Sequence, residues 1–355
     1  MTSVSLCMIV KNEEEVLARC LESVQEIVDE IIVVDTGSTD NTREIAERYT
    51  QQVYDFAWKD DFAAARNFSF SKAHGDYCLW LDADDVIEPE DQEKLRQLKS
   101  TLSPEVDMVM MPYHIAFDEK GIPTFSYYRE RMIRREKGFR WQGRVHEVIP
   151  PAGNLLYSDA AVSHRKIGPG DPDRNLRIFE RMLREEGALE PRHQFYYARE
   201  LLYHQRYQEA IREFTDFLDG GRGWIENNID ACRQLAQCYG ATGERQQILP
   251  ALFRSFFYGA PRAETCCDIG AYFMEQGDYT TAIFWYELAA SRPRDDTSGA
   301  FVLPDCYGFI PYLQLCVCYH QLGYREEAVR YNELAGEIHP DAPAVLHNRE
   351  YFANH

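Results

Sequence analysis

The sequence has no long apolar stretch and no excess of positive charge. No run approaches the roughly 20 apolar residues that a helix needs to cross a bilayer. Met1-Thr2-Ser3 leads directly into a strand-like run, without the basic and apolar regions of a secretory signal. The formal net charge of −20 disfavours nucleic acid and anionic membranes as main partners, because both would repel the chain. We therefore expect a cytoplasmic protein with no transmembrane segment and no nucleic-acid partner.

Motifs that hold metals or phosphates through cysteine or glycine are also missing. The ten cysteines form no paired Cys-x-x-Cys pattern, and we interpret them as reduced residues of the hydrophobic core. The chain contains neither G-x-G-x-x-G, the fingerprint of NAD and FAD sites, nor the G-x-x-x-x-G-K-[ST] loop of many ATPases. A bound nucleotide would therefore be held mainly by side chains and a metal ion.

Strand-like and helix-like segments alternate four times in the first 90 residues. Largely apolar runs at Val4–Val10, Glu30–Asp35, Gln52–Phe56 and Tyr77–Leu81 alternate with segments of helical character. This order is typical of a Rossmann-like sheet covered by helices, in which parallel strands are buried on both faces. We therefore assign the first part of the chain to the α/β class.

Three carboxylates follow the fourth of these strands. Asp82 and Asp84, with Asp85 beside them, lie where open α/β sheets bind ligands, at the carboxyl end of a strand. Three anionic side chains repel one another unless a positive group lies among them, and carboxylate oxygens suit a divalent cation. The alternative is structural: these acids begin a loop and cap the helix that opens near Pro89.

Four stretches in this order and spacing carry a family resemblance. They are Ser5-Leu6-Cys7-Met8-Ile9-Val10-Lys11-Asn12-Glu13, Val33-Val34-Asp35-Thr36-Gly37-Ser38-Thr39-Asp40-Asn41-Thr42, Ala65-Arg66-Asn67 and Leu81-Asp82-Ala83-Asp84-Asp85. Together they resemble the nucleotide-binding half of family 2 glycosyltransferases with the GT-A fold, over about residues 3 to 90. The resemblance implies that Asp35 binds the base or ribose of a UDP-sugar. It also implies that Asp82 and Asp84 form an Asp-x-Asp motif that touches ribose and holds Mn²⁺ or Mg²⁺ on the diphosphate.

Three further side chains are candidates for the nucleotide site. Arg66 offers a fork of donors to the diphosphate or base, although it could equally lie on a solvated helix face. Asn12 and Asp61 are weaker candidates, since both could simply cap helices.

Short β segments and turns from Val106 to about Val162 predict a mixed half of the sheet, where GT-A enzymes build the acceptor site. An inverting transfer needs a base for the acceptor proton, and we prefer Glu147, with His146 second. Trp141 is predicted to stack on a sugar face. Alternatively, Glu147 is a salt-bridge partner on an edge strand and His146 a core histidine.

A strand is predicted over 157–164, and it ends in three basic residues. The resemblance implies that a late histidine completes the metal ligands, and His164 is our candidate. Lys166, or alternatively Arg165, is expected to contact the diphosphate. The alternative for His164 is a structural role.

Helical self-similarity replaces the strand pattern from about Asn175. Small and aromatic residues recur in a common frame, which resembles tetratricopeptide repeats with their period of about 34 residues. Pro293–Pro311 interrupts the spacing and is predicted to be an insertion. We therefore expect a GT-A nucleotide-sugar-binding and catalytic domain at 1–170 and a tetratricopeptide-like solenoid at 171–355. Such solenoids often bind extended peptides on a concave face; a homodimerisation platform or a rigid brace is the alternative.

The order of domains resembles bacterial enzymes that glycosylate cysteine or serine in bacteriocin peptides. We therefore expect a metal-dependent, inverting glycosyltransferase that moves a sugar from a UDP-sugar to a Cys or Ser/Thr side chain. The first alternative is an enzyme of the same class with a lipopolysaccharide or other cell-envelope acceptor. The second is a non-catalytic repeat scaffold.

Overall fold

The computed structural model describes residues 2–118, 121–168 and 170–354. Contacts divide the chain into two compact units, residues 1–187 and 188–355. The functional domains predicted at 1–170 and 171–355 stay a prediction, because contacts alone define compactness and not function.

The first unit is built on one mixed sheet. Its strands are β1 Val4–Val10, β2 Glu30–Asp35, β3 Val53–Asp55, β4 Tyr77–Trp80, β5 Asp85–Val86, β6 Met108–Phe117, β7 Pro123–Arg134, β8 Leu155–Tyr157 and β9 Val162–His164. Their order is β3-β2-β1-β4-β7-β6-β9-β5, and β8 also pairs with β6. The first four strands of this order are parallel, and β7 runs antiparallel to both β4 and β6. The predicted α/β class with a mixed sheet is confirmed.

In the part of the first unit that the structure describes, four helices connect strands of this sheet, and a fifth follows the last strand. They are α1 Leu17–Val24, α2 Thr42–Ala46, α3 Phe62–Phe70, α4 Pro89–Thr101 and α5 Arg174–Glu186. The apolar spacing of α1 explains its packing, since Leu17, Cys20, Leu21 and Val24 share one face and are all buried. They join Leu6 and other residues of β1 in the main hydrophobic cluster.

The strand predicted over 157–164 is wrong in its middle. The Ser158 amide donates to the Met110 carbonyl, and the Ala160 amide donates to the Ser158 hydroxyl. The chain therefore turns after β8 before it enters β9. The break lets β9 pair with β5 as well as with β6, opposite Asp85 and Val86. This two-residue pairing brings the end of β9 to the acidic end of β4.

The second unit consists of paired helices, as predicted. They are α6 Pro191–Tyr203, α7 Tyr207–Gly220, α8 Ile225–Thr242, α9 Ile248–Arg254, α10 Ala263–Glu275, α11 Tyr279–Ala290, α12 Phe309–Gln321, α13 Arg325–Ile338 and α14 Pro343–Asn354. The predicted insertion lies between α11 and α12, where the chain forms only a short 3₁₀ turn at Pro304–Tyr307. The repeat pattern and its interruption are thus both confirmed.

All ten cysteines lie in described parts of the chain, and each is buried with a free thiol, as predicted for core residues. Among the described residues, none of the helices combines the length and apolar character that crossing a membrane requires.

A small residue lets α10 and α11 pack closely. The Cβ of an alanine at Gly270 would lie 2.9 Å from Cζ of Tyr286, whose ring is buried between the helices. Gly270→Ala is therefore expected to lower the free energy of unfolding by about 1 to 3 kcal/mol through overpacking. Gly240→Ala is the matched control: it lies in α8 with its nearest neighbour 3.9 Å away, so helix propensity should raise stability by up to about 1 kcal/mol. Urea denaturation measures both, and equal effects would contradict the packing role.

Candidate functional site

A fully buried ion pair organises the end of β4. The side chains of Arg131 in β7 and Asp85 are both 0% exposed, and Arg131 Nη1 lies 2.9 Å from Asp85 Oδ2. The same Asp85 oxygen accepts from the Asp82 amide at 2.9 Å. The guanidinium stacks on the rings of Trp80 and Tyr113, 3.8 and 4.3 Å from their centroids. Asp85 therefore fixes the loop that carries Asp82 and Asp84.

His164 reaches this loop through the pairing of β5 with β9, in which it lies opposite Asp85. Its Nδ1 lies 3.5 Å from Asp84 Oδ1 and 3.6 Å from Asp85 Oδ1. The Tyr113 hydroxyl is 2.9 Å from the same nitrogen. A histidine far along the chain thus lies beside the carboxylates, and its role as a metal ligand stays a prediction.

These side chains fit a divalent cation. Asp84, Asp85 and His164 each offer a ligand atom, and the three atoms lie within 4.8 Å of one another. Asp85 Oδ1 is buried with no hydrogen-bond partner among the described residues. Carboxylate oxygens and one imidazole nitrogen suit Mn²⁺ or a similar ion. Asp82, the third predicted ligand, lies outside this group, and its Oδ1 accepts from Arg66 at 2.7 Å.

The carboxylates perturb one another. Burial, together with the charges of Asp82 and Asp85, raises the pKa of Asp84 despite the nearby His164. Burial opposes ionisation of Asp82, but the charges of Arg66 and Arg131 outweigh it and lower its pKa to about 2. Burial, then the charges of Asp84 and Asp82, raises the pKa of Glu13 to about 7. Interaction with Asp85, working against burial, raises the pKa of His164. The site thus holds excess negative charge that a bound cation would relieve.

Arg66 joins Asp82 to Glu147. It lies in α3, and its Nη2 and Nε donate at 2.7 Å to Asp82 Oδ1 and Glu147 Oε1. Trp80 and Trp141 flank the guanidinium, with ring centroids 4.8 and 4.9 Å away. Arg66 is therefore buried inside the site and does not lie on a solvated helix face, which was the alternative considered.

The acceptor-side candidates lie in different surroundings. Glu147 contacts Arg66, whereas the His146 ring stacks on Phe179 of α5 at 6.1 Å. The prediction that Trp141 stacks on a sugar is wrong, because the side chain is only 3% exposed. Its ring packs against Trp80 at 5.0 Å, so no face is available to a ligand.

Three residues that are predicted to bind the nucleotide also accept hydrogen bonds from backbone amides. Asp35 ends β2, and its Oδ1 accepts from the amides of Gly37 and Ser38. Asn12 bridges two loops, since its Oδ1 accepts from the Thr39 amide at 2.8 Å. Asp61 caps α3 by accepting from the Ala64 amide, which is the structural alternative proposed for it.

Arg165 and Lys166, which follow β9, have different surroundings. The Arg165 amide donates to the Asp84 carbonyl at 2.8 Å, while its guanidinium pairs with Glu88. Lys166 is exposed, and its place in a diphosphate site stays a prediction.

Sequence reasoning missed three residues of the site. Arg131 and Tyr113 hold Asp85 and His164 from β7 and β6, and neither position carries a local motif. Glu13 follows Asn12 in the first of the four stretches that carry the family resemblance. Its position near the acidic residues was therefore easier to predict than the positions of Arg131 and Tyr113.

Comparisons with known proteins found a matching family and several relatives. Residues 5–161 match the model of glycosyl transferase family 2. A TPR repeat-containing protein of Synechococcus elongatus is 40% identical over 151 residues, which are 42% of this chain and 36% of that protein. The prophage-derived glycosyltransferase SunS of Bacillus subtilis is 31% identical over 218 residues, 58% of this chain and 50% of that protein.

A lipopolysaccharide core biosynthesis glycosyltransferase, LpsC of Rhizobium meliloti, is 29% identical over 159 residues, 42% of this chain and 58% of that protein. The chain thus spans between 36% and 58% of the length of these three relatives.

The buried ion pair of Arg131 and Asp85 is expected to stabilise the fold. Arg131→Met would leave the Asp85 carboxylate buried and unpaired, so we expect a loss of about 3 to 5 kcal/mol in the free energy of unfolding. Arg43→Met is the matched control, because Arg43 is 40% exposed in its ion pairs with Glu47 and Asp55; it should cost less than about 1 kcal/mol. Denaturant titration measures both. Similar losses in the two variants would refute the role assigned to Arg131.

Proposed function

We propose that the chain transfers a sugar from a UDP-sugar to a peptide or protein side chain, because residues 5–161 match the model of glycosyl transferase family 2. The observation that carries the proposal is the group formed by Asp84, Asp85 and His164, with Arg66 and Glu147 beside it. The helical repeats that follow, which resemble tetratricopeptide repeats, recruit the acceptor.

The residues of the site have separate tasks. Asp84 and His164, with Asp85 Oδ1, would hold Mn²⁺ or Mg²⁺, which neutralises charge on the departing diphosphate when it is bound. One carboxylate oxygen of Asp35 accepts hydrogen bonds from two backbone amides. In this proposal the other oxygen binds the ribose or base of the nucleotide. Arg66 is a positioning residue, because it orients Asp82 and Glu147 from within the protein.

The transfer is a displacement at the anomeric carbon. The acceptor oxygen or sulfur attacks that carbon, its proton passes to the Glu147 carboxylate, and the bond to the β-phosphate oxygen breaks with release of UDP. This route inverts the anomeric configuration. Glu147 is favoured over His146 as the base because Arg66 ties it to Asp82, whereas His146 stacks on Phe179.

A cell-envelope acceptor is the second candidate. It is supported by the relative named for lipopolysaccharide core biosynthesis. The repeats favour a peptide instead, since stacked helix pairs offer an extended concave surface. Transfer to acceptor peptides and to lipopolysaccharide fragments, measured side by side with one labelled donor, separates the two acceptors.

The metal role predicts the behaviour of Asp84→Asn. We expect transfer to fall about 100-fold or more, since charge stabilisation of this kind contributes strongly to catalysis. The rise in melting temperature that UDP and Mn²⁺ produce together should also disappear. Asp55→Asn is the control, because Asp55 ends β3 with its side chain 82% exposed, and it should behave as the wild type. Full activity in Asp84→Asn would exclude the metal role.

The base is tested by Glu147→Gln. We expect kcat to fall by about 10² to 10⁴, the usual contribution of a general base, with little change in the KM for the donor. His146→Asn is the comparison, because asparagine tolerates the positive φ of 51° found there. Loss of kcat only in the His146 variant would assign the base to histidine.

A further inference from the structure

The insertion between α11 and α12 folds back onto the helical repeats. We call residues 295–308 the cleft segment. The groove beneath it, which we call the cleft, is lined by Asp230, Arg233 and Glu264 of the helices, and Ala300, Phe301 and Tyr307 of the cleft segment close it. The chain thus brings a part of its own sequence into a groove of its second unit.

Within the cleft segment, residues 299–303 lie between a turn and the 3₁₀ turn at Pro304–Tyr307, and they contact the helices of the repeats. The Phe301 ring lies 5.9 Å from that of Phe195 and 4.4 Å from the Arg199 guanidinium, both on α6. The Leu303 amide donates to Glu264 Oε1 at 2.8 Å, and the Tyr307 hydroxyl donates to Oε2 at 3.1 Å. The Phe301 ring and the Leu303 amide, two residues apart, thus contact α6 and α10, while Val302 and Cys306 of the same segment are buried.

The start of the cleft segment is also fitted closely. A Cβ on Gly299 would lie 2.9 Å from the Trp224 ring, and the backbone there has a φ of +75°. Gly299 therefore permits the backbone to pass directly against the indole before it reaches the cleft.

One buried carboxylate oxygen in the cleft accepts no hydrogen bond from the cleft segment. Asp230 Oδ2 is buried with no hydrogen-bond partner among the described residues, and the Asp230 side chain is only 6% exposed. Arg199 and Arg233 approach Asp230 no closer than 3.9 Å. An additional donor, such as a backbone amide of a longer or differently placed peptide, would satisfy this carboxylate.

We propose that this cleft binds an extended peptide through one aromatic side chain and a backbone amide two residues later, and that the cleft segment occupies it until such a peptide displaces it. The inference rests on the proposed function in one respect, since it takes the acceptor to be a peptide. The repeats would then admit acceptors that carry an aromatic residue, and the cleft segment would act as a built-in competitor.

The test uses the whole protein and a peptide copied from the cleft segment. The probe is a fluorescent synthetic peptide with the sequence of residues 297–304, and its binding is followed by fluorescence anisotropy. In the wild type it must compete with a tethered copy, whose effective concentration is on the order of millimolar. Phe301→Ala weakens the tethered copy, so we expect that variant to bind the probe at least about 10-fold more tightly. A probe with alanine in place of its phenylalanine should lose at least about 10-fold in affinity.

Phe284→Ala is the matched control, because Phe284 is 60% exposed on α11 and does not line the cleft. It should bind the probe as weakly as the wild type. The proposal is overturned if folded Phe301→Ala fails to bind millimolar probe, or if the two probes bind equally well.

A wild-type measurement covers the case in which Phe301→Ala does not fold. The probe then carries a photoreactive benzophenone in place of its phenylalanine ring and is added at millimolar concentration. We expect crosslinks to residues 191–203, which form α6, and crosslinks confined to other helices would overturn the proposal. Neither assay contains donor or metal, so loss of transfer activity and loss of peptide binding are independent results.

Discussion

The acidic end of β4 depends on one buried charge pair. Asp85 and Arg131 are removed from water entirely, so each needs the other to compensate the cost of desolvation. The Asp85 carboxylate also receives the Asp82 amide, and through the pairing of β5 with β9 it fixes the position of His164. A carboxylate that never reaches solvent thereby fixes the half-buried side chains of Asp84 and His164 beside it.

The pattern of strands and helices in the first 90 residues could be predicted because it depends on local periodicity. The four runs that were expected appear as β1 to β4, and three acids do follow the last of them. The helical repeats were equally predictable, since small and aromatic residues recur at a fixed spacing. The same spacing revealed the insertion, because an interruption of a regular period is visible in one sequence.

The rest of the site depends on contacts between distant residues. Strands β5 and β9 have two and three residues, too short for any hydrophobic period, and only their pairing joins His164 to Asp84. Trp141 was expected at the surface because aromatic rings often stack on sugars, yet this ring packs in the core beside Trp80. Arg131 lies in a strand rich in charged residues, and nothing local distinguishes it from a solvated arginine.

The acidic end of β4 is expected to bind a divalent cation together with a nucleotide-sugar. Crystals grown with UDP and Mn²⁺, with diffraction measured at the manganese absorption edge, test this most directly. We expect an anomalous peak in contact with Asp84 and His164 and with the diphosphate of UDP. UDP bound at the end of β4 with no peak there, or a peak remote from both residues, would contradict it.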